Sequence, residues 1–314
     1  MVNATAAVLA GVSAAATFAV AALLQQLAAR DVPQAASLRP ALFLDLLRRP
    51  LWLGGFGTML LGYGFQAVAL SFGPVALVQP IVATELVFAL PLAMWVGHLR
   101  AGVREWLGIA AVVGGITLFV VTASPQPGQA DPGPLLWICI LVPAAAVVIV
   151  VLALAAGPPS PRRAGLLAVN AGICFGLIAV LTKSVTHLAS HGAGVLFSHF
   201  EPYALVGVGV VAFLFSQSAF QAAPIINSMP IHDIVEPLLA VLIGATALNE
   251  RFSTAGIDPL LEITGAALAC VGVVVLARSR VVHTLYERTK PDAKQGLRET
   301  ETRPVLRETP KARA

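Results

Sequence analysis

The chain has 314 residues, 57% of them hydrophobic and 11% charged, with a mean hydropathy of +0.84 and a formal net charge of +4. Soluble domains carry about a quarter charged residues, so this composition excludes that class and predicts an integral, multi-pass membrane protein whose first partner is the lipid bilayer. The basic residues lie in short loops and the C-terminal stretch rather than in a stripe beside aromatic side chains, which argues against a nucleic-acid partner. Cys139, Cys174 and Cys270 each stand singly in apolar runs and support neither a disulfide framework nor a metal knuckle.

Apolar runs of spanning length, about 20 residues each, begin with Thr5–Ala29, which lacks a basic leader and reads as a retained first helix. Between Arg30 and Pro50 the ALFLDLL core is too short to cross and reads as interfacial or re-entrant. Further runs follow at Leu51–Phe72, Pro74–Val96, Val103–Thr122, Pro134–Ala156, Ala164–Leu188, Tyr203–Ala222, Pro224–Ala247 and Pro259–Ala277. The predicted fold is all-α, a polytopic membrane protein with about nine transmembrane helices.

Arginines fill the loops at Arg30–Arg49, Arg100–Arg104 and Arg162–Arg163 and recur from Arg278 onward, whereas the intervening loops hold almost none apart from Arg251. Cytoplasmic loops accumulate such residues, so the N-terminus is expected outside and the C-terminus in the cytoplasm, across the cell membrane. Prolines mark an internal echo, with Pro224 and Pro230 repeating the spacing of Pro74 and Pro80. EWLGIAAVVGGITLFV from Glu105 is echoed by EITGAALACVGVVVLA from Glu262, and there Gly108 matches Gly265 and Gly115 matches Gly272. The expected division is a first repeat over 1–122, a loop and central helix over 123–157, a second repeat over 158–278, and a disordered basic tail over 279–314. The odd central helix inverts the second four-helix repeat relative to the first. Glycine at these positions needs no role beyond close helix packing.

Two acids stand deep in apolar runs. Glu85 lies about eleven residues from either end of its run, and overlaying the prolines brings Glu236 to within one position of it. A carboxylate at mid-bilayer depth costs about 2.5–3.5 kcal/mol on insertion scales, so such a group normally faces a protein-lined cavity. Gln79 and Pro80 precede Glu85 within two turns. His232 and Asp233, four and three residues before Glu236, can share its helical face. Glu85, Glu236 and Asp233 are candidate ligands for a divalent cation, although hard cations keep much of their water and this spacing is a weak signal. Lys183 either reaches water at the outer end of its helix or pairs with one of the two acids. Gln66 and Asn227 can hydrogen-bond a substrate or tie helices together. Glu105 and Asp258-Pro259 read as helix-start devices. No catalytic set, Walker loop or dinucleotide fingerprint occurs, so the reading is not an enzyme, requires no cofactor, and makes any transport gradient-driven.

The pattern of an apolar helix, FGPVALVQP, a second apolar helix and then WLG…GG, with a second copy ending in ALNERF, resembles the drug/metabolite transporter superfamily with its EamA-type repeats. Within it, Gln25-Gln26, Lys183 and Ala247–Arg251 are most similar to the NIPA-type branch. The resemblance implies a secondary transporter of a small solute with a midplane site, or, through that branch, a carrier of Mg2+ or another divalent cation as cargo. The pattern departs from the family where the first copy has Gly97-His98-Leu99-Arg100 in place of a glutamate-arginine pair. A non-transporting membrane scaffold is the alternative of another class, and a homodimer is left open.

Overall fold

The computed structural model describes residues 3–29, 49–97, 102–129, 132–223, 228–253 and 255–278. The expectations for the segment from Arg30 to Arg48, for Asn227 and for the tail from 279 onward lie outside these residues. Those described form an all-helical polytopic membrane protein with helices α1 (Ala4–Ala29), α2 (Pro50–Phe72), α3 (Val75–Val82), α4 (Glu85–Gly97), α5 (Val103–Ala123), α6 (Pro134–Leu154), α7 (Pro161–Ser190), α8 (Ala193–Ser198), α9 (Glu201–Ala222), α10 (Met229–Thr246) and α11 (Asp258–Ala277). Among them, 8 spans are long and apolar enough to cross a bilayer, with α3 and α4 counted as one. The eighth of the nine expected runs, Pro224–Ala247, is described from Ser228 onward as α10 and is not among those spans.

Helix ends follow local chemistry. Asn3 Oδ1 accepts from the Ala6 amide at 3.1 Å to start α1, and Ser160 Oγ accepts from the Arg163 amide at 3.2 Å to start α7, where Pro161 fills the first position. Glu105, buried in the first turn of α5, accepts from the Gly102 amide at 2.9 Å, as its sequence position predicts. Asp258 proves to be the first residue of α11 rather than its cap, and it accepts from Ser253 Oγ at 2.5 Å.

The run expected as one helix over Pro74–Val96 is one candidate span, Val75–Val96, with a tight turn at Ala83-Thr84 between α3 and α4. Pro80 lacks an amide, Thr84 turns both its amide and its hydroxyl onto the Ile81 carbonyl at 3.0 and 2.6 Å, and α3 stops at Val82. Glu85 therefore opens a new half-helix at mid-span, where a carboxylate suits the positive end of the helix dipole.

Packing is organised around α7, the most buried of the spans. It contacts α2, α6, α9 and α10, while α1 packs on α2, α3 and α4, and α5 pairs with α11. The largest core cluster, including Leu70, Val75, Val78, Leu177, Leu181, Ile243 and Leu248, joins α2, α3, α7 and α10. By contrast, α6 leaves Leu135, Ile138, Val142, Val147, Ile149 and Val150 exposed, as a lipid-facing helix must.

The segments that the arginine count assigns to one common side do meet at one end of the bundle. The Asn3 amide reaches Phe72 O at 3.2 Å, Gln126 and Arg251 exchange backbone bonds of 2.8 and 3.2 Å, and the Ser253 amide donates to Ala123 O at 2.9 Å. The Gln129 amide donates to Leu248 O at 2.6 Å, an approach that leaves no room for a Cβ on Gly128.

Candidate functional site

The break before Glu85 brings the first acid toward α10. Glu85 interacts electrostatically with Asp233, Glu236 and His232, and the Tyr63 hydroxyl of α2 interacts with Glu236 and Glu85. His232 lies between two carboxylates: its Nδ1 is 2.9 Å from Asp233 Oδ1 and its Nε2 3.6 Å from Glu236 Oε2. Helical geometry produces the second contact, because residues four apart face the same way. The imidazole is held edge-to-face against Phe175 of α7 at 4.9 Å, and Tyr63 is held against Phe18 of α1 at 5.0 Å. Protein surrounds Glu85 and Glu236, yet the Glu236 side chain keeps 19% of its surface accessible and His232 keeps 23%.

Three carboxylates face one imidazole here, so the cluster carries excess negative charge unless protons or a cation join it. Buried polar atoms without a hydrogen-bond partner include His232 Nε2, which has only its longer ion-pair contact to Glu236, Asp233 Oδ2 and, on α3, Gln79 Nε2. Unsatisfied groups of this kind cost about 1–3 kcal/mol each unless water or a ligand meets them. Among the described residues, however, no three His, Cys, Asp or Glu side chains converge as a metal-holding group, so Glu85, Glu236 and Asp233 share a site without forming a coordination shell.

Of the other residues singled out in the sequence, Gln66 is buried on α2 one turn beyond Tyr63, and Gln79 is buried on α3. Asn170 donates to Val148 O at 3.2 Å and joins α7 to α6, the helix-tying role. Lys183 follows neither of its expected courses. It is buried, donates to Gly73 O at 2.7 Å and Leu70 O at 3.4 Å, and has Glu250 as its charge neighbour. The cause is the end of α2: the chain turns at Gly73-Pro74, leaving terminal carbonyls that a cation satisfies.

Glu250 completes that arrangement. Its Oε1 accepts from the Val75 amide at 2.6 Å and its Oε2 from the Ala76 amide at 2.9 Å, so an anion caps the start of α3 as a cation caps the end of α2. Burial pushes the Glu250 carboxyl above the usual carboxylate range, against the pull of these two amides and of Lys183. Sequence reasoning missed Tyr63 and this use of Glu250. The one available signal was Gly73-Pro74, which ends a helix in an apolar stretch and so demands partners for its backbone.

No family model matches the chain, and no solved structure matches it. It is 31% identical over 277 residues to the uncharacterized protein Cgl0250/cg0304 of Corynebacterium glutamicum, an alignment covering 87% of this chain and 94% of that one.

Proposed function

The chain belongs to the same family as the Corynebacterium glutamicum protein, and on the physical grounds that follow we propose that it is a gradient-driven secondary transporter of a small solute, of the drug/metabolite transporter kind. The observation that carries this reading is the acidic cluster at a broken span. Glu85 starts a helical segment in mid-span and interacts electrostatically with His232, Asp233 and Glu236 of α10. Discontinuous helices with ionisable groups at mid-depth are the form that carrier sites take.

Support for two inverted four-helix repeats comes from packing. The α1–α2 contact parallels α7–α9, and α1 on α3 and α4 parallels α7 on α10. Gly11 meets Ile81 as Gly165 meets Ile231, each at 3.1 Å from a built Cβ, and Ile81 and Ile231 both directly follow the second proline of their half. In this reading α10 also crosses, bringing the total to nine, the N-terminus and the Gly73-Pro74 turn face outside, and the arginine-rich loops face the cytoplasm.

Glu85, Glu236 and Asp233 bind protons or a cation, His232 orients the two acids beside it, and rocking of one repeat against the other exposes the cluster to each side in turn. The excess of carboxylates favours cationic cargo, and a hydrated divalent ion such as Mg2+ is the second reading it supports. The test is ligand-dependent thermal stabilisation of the purified protein in detergent, with magnesium, other divalent ions, amino acids and polyamines. A stabilising ligand whose effect disappears in both Glu85→Gln and Glu236→Gln supports the site; undiminished stabilisation in both variants defeats it.

A further inference from the structure

Lys183 and Glu250 are both buried and ionisable, and their charge neighbours are each other rather than the acidic cluster. Each belongs to the second half of the chain, and each holds backbone of the first half. Lys183 takes carbonyls at the end of α2, and Glu250 takes amides at the start of α3, on either side of the Gly73-Pro74 turn. Around them the same end is closed by the bonds between the 126–129 segment and the 248–251 segment.

The positions of the first half that match Lys183 and Glu250 hold no such pair. The echo of LIAVLTKSVT in AVAALLQQLA sets neutral Gln25 opposite Lys183, and the stretch from Gly97 to Arg104, which stands opposite Ala247–Arg251, contains no acid. Gln25 also stays within its own half, its Nε2 lying 3.7 Å from Met59 Sδ on α2. A repeat-related carrier would use equivalent contacts at its two ends, and the sequence positions that match Lys183 and Glu250 do not supply this pair.

We propose that Lys183 and Glu250 form a one-sided latch that closes the Gly73-Pro74 end of the bundle, so that the state closed at this end is the resting state. The inference rests on the carrier reading for its purpose, but the latch itself is a conformational statement. Opening this end must separate the buried Lys183 amine from its carbonyls and the buried Glu250 carboxyl from its amides, a separation that the matching neutral Gln25 and acid-free 97–104 stretch do not reproduce. Such a bias shifts the population of the two states by the difference in contact energy between them.

The test uses full-length protein in which Cys139, Cys174 and Cys270 are replaced by alanine. One reporter is Val75→Cys, at a buried position directly under the latch; the other is Ala164→Cys, buried at the far end of α7. The readout is the rate of modification by a charged maleimide in liposomes or detergent, with melting temperature measured on the same samples. Lys183→Met and Glu250→Gln are each expected to raise the rate at position 75 by about tenfold, the usual size of such a coupling, without raising it at position 164. Lys183→Arg, which keeps the charge, restores slow labelling. An unchanged rate at position 75 in both variants overturns the latch, and so does an equal rise at both positions, which is general loosening. Glu250→Gln keeps the shape of the side chain and so gives a second reading if Lys183→Met does not fold. Labelling needs neither a substrate nor flux, so failure of the carrier reading and failure of the latch give different results.

Discussion

Gly115 of α5 and Gly265 of α11 meet backbone to backbone: a Cβ built on Gly115 lies 2.6 Å from Gly265 O, and one built on Gly265 lies 2.7 Å from Gly115 O. One contact further along, a Cβ on Gly272 lies 2.9 Å from Gly108 O. The sequence echo equates Gly108 with Gly265 and Gly115 with Gly272. Exchanging the halves therefore turns the first contact into the second, which is what the inverted-repeat reading proposed above expects.

That closeness sets the first expectation. Gly115→Ala pushes a methyl group into the backbone of α11, where nothing flexible can give way, and is expected to destabilise by about 1–3 kcal/mol. Gly114→Ala is the control, since a Cβ there has nothing within 4 Å. It should leave stability equal or slightly higher, because alanine favours helix over glycine. Thermal unfolding in detergent compares them, and equal melting of the two variants would show that the interface can separate freely.

Tyr63→Phe separates packing from chemistry at the candidate site. The edge-on contact with Phe18 survives, and only the hydroxyl facing Glu85 and Glu236 is lost. Melting temperature in the absence of ligand should stay near that of the parent, while stabilisation by the cationic ligand falls. If ligand stabilisation is unchanged and intrinsic stability drops, Tyr63 is a packing residue alone.

Glu250 gives a pH expectation with a definite sign. Because burial raises its carboxyl above the usual range, the folded protein holds this proton at higher pH than the unfolded chain does. The stability from this group is complete below the unfolded value of about 4.3 and is lost as pH rises through the folded value. Glu250→Gln has no proton to release. Between pH 5 and 8 the parent should therefore lose more melting temperature than the variant, and identical slopes would contradict the shift.

Composition and apolar runs make the helices legible, because a bilayer demands long stretches of one kind. Glu85 and Glu236 are legible for the converse reason, since an acid in such a stretch is costly enough to stand out. What stays hidden is where chain direction and tertiary contact decide. The stop at Val82 depends on Thr84 taking the Ile81 carbonyl, a local choice that the apolar pattern leaves undecided. Lys183 has acids in its own hydropathy neighbourhood to pair with on paper, yet the structure gives it backbone carbonyls about a hundred residues earlier, at positions 70 and 73. Glu250 bonds amides 175 and 174 residues away, and no local spacing encodes that.

The central claim, that the Glu85 and Glu236 cluster moves a solute across the membrane, is tested most directly by flux. Proteoliposomes containing the protein would be loaded asymmetrically with the ligand found by thermal stabilisation, with uptake followed under an imposed gradient. The account predicts saturable uptake that collapses in Glu85→Gln and in Glu236→Gln while both proteins remain folded. Saturable uptake at parental rates in both variants, or tight binding with no uptake at all, would contradict it.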